Sequence, residues 1–104
     1  MWHEVCADDE LEEGDPATIS VESERIAVFL SEEEYHAVSG VCTHAGASLS
    51  EGGVRDGTVR CPRHGAPFDL RTGEALGYPA SEDLRTYETK VEDAVVYVHV
   101  GDNV

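Results

Sequence analysis

Two short segments of the chain each combine one cysteine with one histidine. The first is Cys42-Thr43-His44, and the second is Cys61-Pro62-Arg63-His64. A thiolate and an imidazole this close in sequence can both reach a single metal centre. Two thiolates with two imidazoles can hold zinc, or a [2Fe–2S] cluster in which two histidines replace two of the cysteines. The four residues therefore predict a metal centre.

The spacing of the pairs favours the cluster over zinc. Structural zinc sites usually pair like with like, as C-x₂₋₄-C followed by H-x₃₋₅-H. A mixed-ligand cluster needs both thiolates on one iron and both imidazoles on the other. Two mixed segments let each loop supply one ligand to each iron, so the cluster would be held between two loop tips. A zinc-binding structural module stays open as the alternative.

The residues that follow each pair resemble the Rieske family, in the C-x-H … C-P-x-H-G form of small Rieske ferredoxins. They are Ala45-Gly46 after the first pair, and Gly65 with residues 67–73 after the second. The resemblance assigns Cys42 and Cys61 to one iron of a single [2Fe–2S] cluster, and His44 and His64 to the other. It also implies that the imidazoles lie at the outer tip, where the second iron would be the electron port.

The chain departs from the respiratory branch of that family at four positions. Ala47 and Arg63 stand where that branch has two disulfide-forming cysteines. Ala66 and Phe68 stand where it has a serine and a tyrosine whose hydroxyls donate to the cluster. Because fewer donors around the sulfurs lower the reduction potential, we expect a value near the low end for such clusters, about −150 mV. The pattern resembles the ferredoxins of bacterial aromatic-ring dioxygenases.

Short strands separated by Gly, Pro and Asp must position these residues, and no helical period is visible. The length of 104 residues indicates a single domain over 1–104. We predict an all-β Rieske-like fold, a small antiparallel β-sandwich or partly closed barrel with an inserted, loop-rich cluster-binding subdomain at about residues 40–78. The predicted strands are 2–6, 18–22, 25–30, 34–38, 54, 58–60, 68–70, 85–91 and 95–100.

Glycine is concentrated in the predicted subdomain, where eight of the ten glycines fall between residues 39 and 77. That density indicates tight turns and close backbone approach. Arg55-Asp56-Gly57 predicts a hairpin turn, and residues 11–16 read as an exposed bend. By resemblance, Gly77-Tyr78-Pro79-Ala80 would cover the cluster from a third side.

Charge is distributed unevenly along the chain, whose net charge is −15. Residues 1–41 carry twelve acidic side chains and one basic, residues 42–73 three and four, and residues 74–104 seven and two. The ligand-bearing segment is thus the only one of the three without a negative net charge. Such a body repels phosphates, so no nucleic-acid partner is expected. The asymmetry would orient a protein partner on approach to the ligand loops, or the acidity serves solubility or a salty habitat.

Location is inferred from what the sequence lacks. No apolar run approaches the roughly 20 residues of a membrane span, and residues 1–5 show no export signal, so we expect a cytoplasmic protein without a membrane partner. Three cysteines form no multi-disulfide framework. Cys6 reads as a small buried side chain at the end of the first strand. His3, His36 and His99 fall in predicted strands and receive no metal role.

The resemblance implies a one-electron carrier and not an enzyme. It would take an electron from an NAD(P)H-dependent flavoprotein reductase and pass it to a terminal ring-hydroxylating oxygenase, as a monomer. We expect docking near His44 and His64, with the surrounding contacts Ala45, Arg63, Gly65, Ala66 and Pro79. The alternative is a Rieske small subunit bound permanently within a larger enzyme, such as an assimilatory nitrite reductase.

Overall fold

Two antiparallel sheets form the computed structural model of the chain. It describes residues 2–12, 16–21, 24–41, 48–49, 52–63, 65–77 and 82–100. Within these ranges the strands are β1 (Trp2–Ala7), β2 (Ala17–Val21), β3 (Glu24–Ser31), β4 (Glu34–Ser39), β5 (Val54–Arg55), β6 (Thr58–Arg60), β7 (Pro67–Asp69), β8 (Thr86–Glu92) and β9 (Val95–His99). Every predicted strand is found to within about two residues. The described part of the chain has no helix of the length and apolarity that a membrane crossing requires.

The larger sheet has six strands in the order β1-β9-β8-β4-β3-β2 and is nearly closed. The all-β prediction is therefore confirmed, although the bounds of the predicted subdomain stay a prediction. Strands β1 and β2 form its two edges. On β1 the pairing with β9 shifts by one residue between Glu4 and Cys6, which marks a β-bulge.

Strand β3 is buried on both faces because it separates two cores. Ile26 and Val28 lie in the core of the larger sheet, together with Leu11, Ala37, Val96, Val98 and Val100. Ala27 and Phe29 point to the other side, into a cluster that the smaller sheet also covers. Since alternate residues of a strand face opposite sides, this double coverage accounts for the continuous apolar run in the sequence.

The smaller sheet has the order β5-β6-β7. Its inward residues include Val59 and Phe68, which pair across the strands and are fully buried. The predicted hairpin turn between β5 and β6 is confirmed, with φ of 53° at Asp56 and 76° at Gly57. Positive φ at both central residues is the geometry of a type I′ turn, which matches the twist of paired strands.

One expectation about the loop after β1 is wrong. Leu11 was expected in an exposed bend, but only 4% of it is exposed, and it packs in the core of the larger sheet. The Leu11 side chain turns inward between acidic neighbours because an apolar group gains free energy by leaving water. Glu12 is exposed as expected, and residues 13–15 lie outside the described residues.

Candidate metal centre

Cys61 is the one predicted ligand that falls among the described residues. It follows β6 directly, is 2% exposed, and belongs to the buried cluster shared by the two sheets. Cys42, His44 and His64 lie outside the described residues. The described residues on either side of them show where each ligand segment begins and ends.

The first ligand segment begins and ends at one antiparallel bridge. Val41, the residue before Cys42, pairs with Ser48. The Leu49 N–H donates to the Gly40 carbonyl oxygen at 2.8 Å, one step outside that bridge. Val41 and Ser48, the residues on either side of 42–47, therefore lie next to each other in the fold.

The second ligand segment is closed in the same way. The Cys61 N–H donates to the Ala66 carbonyl oxygen at 2.9 Å, and the Gly65 N–H donates back to the Cys61 carbonyl oxygen at 2.9 Å. Gly65 has a φ of 75°, a left-handed conformation that costs glycine little. The pairing of Arg60 with Pro67 continues the ladder below the loop. The glycine after the second pair thus has a structural reason.

The bases of the two ligand segments lie against a common core. Leu49 comes just after the first segment, Cys61 and Ala66 bound the second, and all three belong to the same buried cluster. The chain between the segments also runs beside β6, because the Arg60 N–H donates to the Gly53 carbonyl oxygen at 3.0 Å. The fold therefore brings together two segments that are far apart in sequence.

A third segment starts beside the second. The Leu76 N–H donates to the Pro67 carbonyl oxygen at 2.9 Å, and the place of a Gly77 Cβ would lie 3.5 Å from the Pro67 Cγ. This position suits a loop that would cover the centre from a third side, as the resemblance implies. Its residues Tyr78 and Pro79 lie outside the described residues.

A polar network that the sequence reasoning missed supports the strand leading to Cys42. The Ser39 N–H donates to the Arg85 carbonyl oxygen at 2.8 Å. The Arg85 guanidinium lies 3.3 Å from a carboxylate oxygen of Glu24, which also accepts the Tyr87 hydroxyl at 2.5 Å. Burial, and then the hydrogen bond to Glu24, raise the pKa of Tyr87 to about 12. No sequence pattern pairs these residues, since 61 and 63 positions separate Glu24 from its two partners.

The described residues correct one predicted docking contact. Arg63 is exposed and Gly65 half-buried, so both can reach a partner. Ala66 is fully buried, and it cannot. Its side chain packs among the buried apolar side chains around Cys61. Strand β7 begins at the next residue, and alternation along the strand turns Ala66 inward together with Phe68. Docking near His44 and His64 stays a prediction, without Ala66 among its contacts. The other predicted contacts, Ala45 and Pro79, lie outside the described residues.

The other cysteine and histidines lie in the larger sheet. His3, His36 and His99 are on β1, β4 and β9, as predicted. Cys6 is half-buried rather than fully buried and packs against the core of that sheet. Burial, with Glu10 and Asp8 nearby, raises the pKa of its thiol.

These features fit a [2Fe–2S] cluster. The described cysteine presents its sulfur on the buried side of a loop base, which suits an inner, sulfur-ligated iron. The pairs Val41–Ser48 and Cys61–Ala66 bring the two ends of each ligand segment together, and Gly65 has the left-handed conformation beside the second pair. The donor set of two thiolates and two imidazoles is the one that such a mixed-ligand cluster needs.

Comparison with known proteins gives the same assignment. Residues 1–88 match the family model of the Rieske [2Fe–2S] domain. The chain is 41% identical to the ferredoxin subunit of an anthranilate 1,2-dioxygenase from Burkholderia cepacia, over 96% of this chain and 93% of that protein. A solved complex of reduced oxygenase and oxidized ferredoxin in carbazole 1,9a-dioxygenase matches with a TM-score of 0.88 and 33% identity, covering 93% of this chain and 91% of the other.

A protein described as an NADH-dependent nitrite reductase small subunit from Mycobacterium tuberculosis matches with a TM-score of 0.86 and 26% identity, covering 97% of this chain and 96% of that one. The backbone alone therefore does not distinguish the two kinds of relative. The higher sequence identity lies with the dioxygenase ferredoxin.

The chain belongs to the Rieske [2Fe–2S] family. It carries a Rieske-type [2Fe–2S] cluster, so the zinc alternative is not supported. It is an electron carrier and not the component that acts on an organic substrate, because its relatives are ferredoxin components of larger systems.

Proposed function

We propose that this protein carries single electrons to the terminal oxygenase of an aromatic-ring dioxygenase system. The observation that supports this most directly is the 41% identity, over nearly the whole chain, to a ferredoxin subunit of such a system. The electron would come from a flavoprotein reductase that oxidises NADH or NADPH. The carrier would work in the cytoplasm as a monomer.

Cys42, Cys61, His44 and His64 would hold the cluster, with the cysteines on one iron and the histidines on the other. The bound cluster takes up and releases one electron. The protein's own contribution would be to keep that centre beside the bases of the two ligand segments, which lie against one buried core. The buried apolar side chains around Cys61 would shield the cysteine-ligated iron from water. The histidine-ligated iron would then be the route for electrons.

The charge of the ligand-bearing segment supports a transient contact between the histidine side of the centre and a protein partner. The segment of residues 42–73 has a net charge of +1, whereas the whole chain has −15. A partner with carboxylates around its own redox centre would be attracted to this end and repelled by the rest. A shuttle needs small, weak interfaces because it must leave one partner before meeting the next.

A reconstituted system tests the proposal. The anaerobically purified protein is combined with the reductase and oxygenase components of the system that contains the Burkholderia cepacia relative. We expect NAD(P)H oxidation and hydroxylated product only when the carrier is present. A carrier with two irons and two sulfides that never reduces the oxygenase would contradict the proposal.

The fold match with a nitrite reductase small subunit keeps one competing function under test. A permanently bound subunit would copurify with a large partner at a fixed ratio. The proposed carrier elutes alone from a sizing column at its mass of 11.3 kDa.

A further inference from the structure

The outer face of the smaller sheet carries a row of three side chains. Arg60 on β6 pairs directly with Pro67 on β7. The next segment continues the row, because the bridge between Phe68 and Ala75 places Leu76 opposite Pro67. Phe68 and Ala75 pack into the shared core, so their neighbours Pro67 and Leu76 face outward. We call Arg60, Pro67 and Leu76 the outer row.

The outer row lies at the rim of the cluster-binding loops. Arg60 immediately precedes Cys61, and its guanidinium Nη1 donates to the Gly65 carbonyl oxygen at 3.1 Å. Pro67 immediately follows Ala66, which closes the second ligand segment. Leu76 leads into the segment that would cover the centre from the third side. All three residues therefore lie beside the base of the second ligand segment, on the side where the proposed function has electrons leave.

Leu76 is unusually exposed for its position. Within the described ranges it is one of three large apolar side chains with high exposure, at 48%, and the other two, Trp2 and Val91, are on the larger sheet. A single exposed leucine is uninformative by itself. Here it stands beside a half-buried proline and an exposed arginine in one cross-strand row. Arginine is enriched in binding hot spots, and the buried core of an interface is more apolar than the rest of a protein surface.

We propose that the outer row is a docking ridge that orients the terminal oxygenase against the cluster. This inference rests on the proposed function and adds the residues that would select the partner. The oxygenase would place a carboxylate near Arg60 and an apolar patch on Leu76 and Pro67. Charge complementarity supports this partner, because Arg60 and Pro67 belong to residues 42–73, the only one of the three segments without a negative net charge. Leu76 belongs to the next segment but lies beside Pro67.

Two matched apolar variants test the ridge. The reduced holoprotein is mixed anaerobically with the oxygenase in a stopped-flow instrument, and the second-order rate of electron transfer is measured. Leu76→Ser should lower this rate about 5- to 10-fold, as expected for loss of an interface anchor. Val91→Ser removes an equally exposed side chain from β8, at 45%, and should leave the rate unchanged. Equal rates in both variants and the wild type overturn the proposal.

A charge pair tests the arginine separately. Arg60→Glu and Arg71→Glu change the net charge equally, but Arg71 lies beyond the far end of β7. Arg60→Glu should slow the reaction more than Arg71→Glu at low salt, and the difference should shrink as salt screens the contact. Arg60→Lys should recover most of the rate. Equal slowing by the two glutamates would show that only net charge matters.

The controls distinguish a failure of the docking ridge from a failure of the proposed electron-carrier function. Each variant must keep the wild-type reduced EPR spectrum and midpoint potential, so that a slower rate reports docking. If the wild type reduces the oxygenase and the Leu76 and Arg60 variants match their controls, the ridge alone fails. If the intact wild type reduces no oxygenase, the proposed function fails and the ridge fails with it.

Discussion

Cys61 stands where a strand becomes a loop, with its side chain turned into the protein. The backbone hydrogen bonds between Cys61 and Ala66 fix that turn. The buried surroundings of Phe68 and Leu49 keep water from the sulfur side. A ligand in this setting contributes to both the core and the metal centre, so the burial of Cys61 and its predicted metal role are compatible.

The histidine assignment predicts a specific spectroscopic loss. His64→Cys and His44→Ala should abolish the mixed-ligand EPR signal of the reduced protein or the cluster itself, because imidazole ligands determine the electronic character of one iron. His3→Ala is the matched control, since His3 is on β1 of the larger sheet. An unchanged signal in the His44 and His64 variants would contradict the ligand set.

The potential should respond to added hydroxyl donors. Ala66→Ser combined with Phe68→Tyr should raise the midpoint potential from its predicted value, by about 40 mV for each hydrogen bond worth about 1 kcal/mol. Both side chains are fully buried in the cluster that contains Cys61. A hydroxyl there lacks water as a partner and gains most by donating to the metal centre. Voltammetry that shows no rise would count against this account of tuning.

At the scale of elements, the sequence allowed the strands to be predicted well, whereas the ligand set stays a prediction. Alternation revealed β2, and the Asp-Gly pair revealed the β5–β6 turn. The turn between β3 and β4 carried no such signal, because Glu32 and Glu33 occupy positive φ of 53° and 67° without glycine or asparagine. The Glu24–Arg85–Tyr87 network was also beyond prediction, since tertiary pairing alone brings those residues together.

Gly52 and Gly53, between the ligand segments, should differ sharply in how well they tolerate substitution by alanine. A methyl group at Gly52 would overlap the Arg60 carbonyl oxygen, whereas one at Gly53 would meet nothing within 4 Å. Gly52→Ala should therefore destabilise the protein by about 1–3 kcal/mol, the usual cost of overpacking, and should weaken cluster retention by displacing the residue before Cys61. Gly53→Ala is the control. Thermal unfolding followed at the cluster absorbance would measure both, and equal midpoints would refute the argument.

The burial of the Tyr87 hydroxyl, together with its hydrogen bond to Glu24, should make stability fall in alkali. The folded protein holds the proton more tightly than the unfolded chain, because the pKa of Tyr87 rises from 10 to about 12. Its contribution is therefore complete below pH 10 and is lost as the pH rises from 10 to 12. Tyr87→Phe should flatten the fall of the unfolding midpoint over that range. A slope in Tyr87→Phe equal to that of the wild type would contradict this account.

For the whole molecule, the sequence indicated an uneven distribution of charge, and the fold assigns the basic and acidic side chains to different sheets. The four arginines of residues 42–73 belong to the smaller sheet and its loops, whereas the acidic segments belong mainly to the larger sheet. The radius of gyration is 12.7 Å, which exceeds the screening length of about 8 Å at physiological salt. Repulsion therefore acts chiefly between neighbouring carboxylates.

Salt should stabilise this protein. Raising KCl from 0.05 to 0.5 M should increase the unfolding midpoint by several degrees, since screening relieves the repulsion that accompanies a net charge of −15. Most of the gain should come below about 0.5 M, where the screening length shrinks fastest. A gain that instead continued linearly into molar salt would indicate exclusion of salt from the surface. A constant midpoint would show that the acidic side chains do not repel one another appreciably.

The bulge on β1 bears on whether copies of the protein associate with one another at high concentration. An electron carrier is useful only if many copies stay separate, yet an unpaired strand edge can template the addition of another chain. On β1 the bulge between Glu4 and Cys6 interrupts the regular spacing of its outward-facing amides. On β2, at the opposite margin, the exposed side chains Thr18 and Ser20 are polar. Because the sheet is nearly closed, β1 and β2 also contact each other. Neither edge is therefore a long, flat, apolar strand of the kind to which further copies readily add.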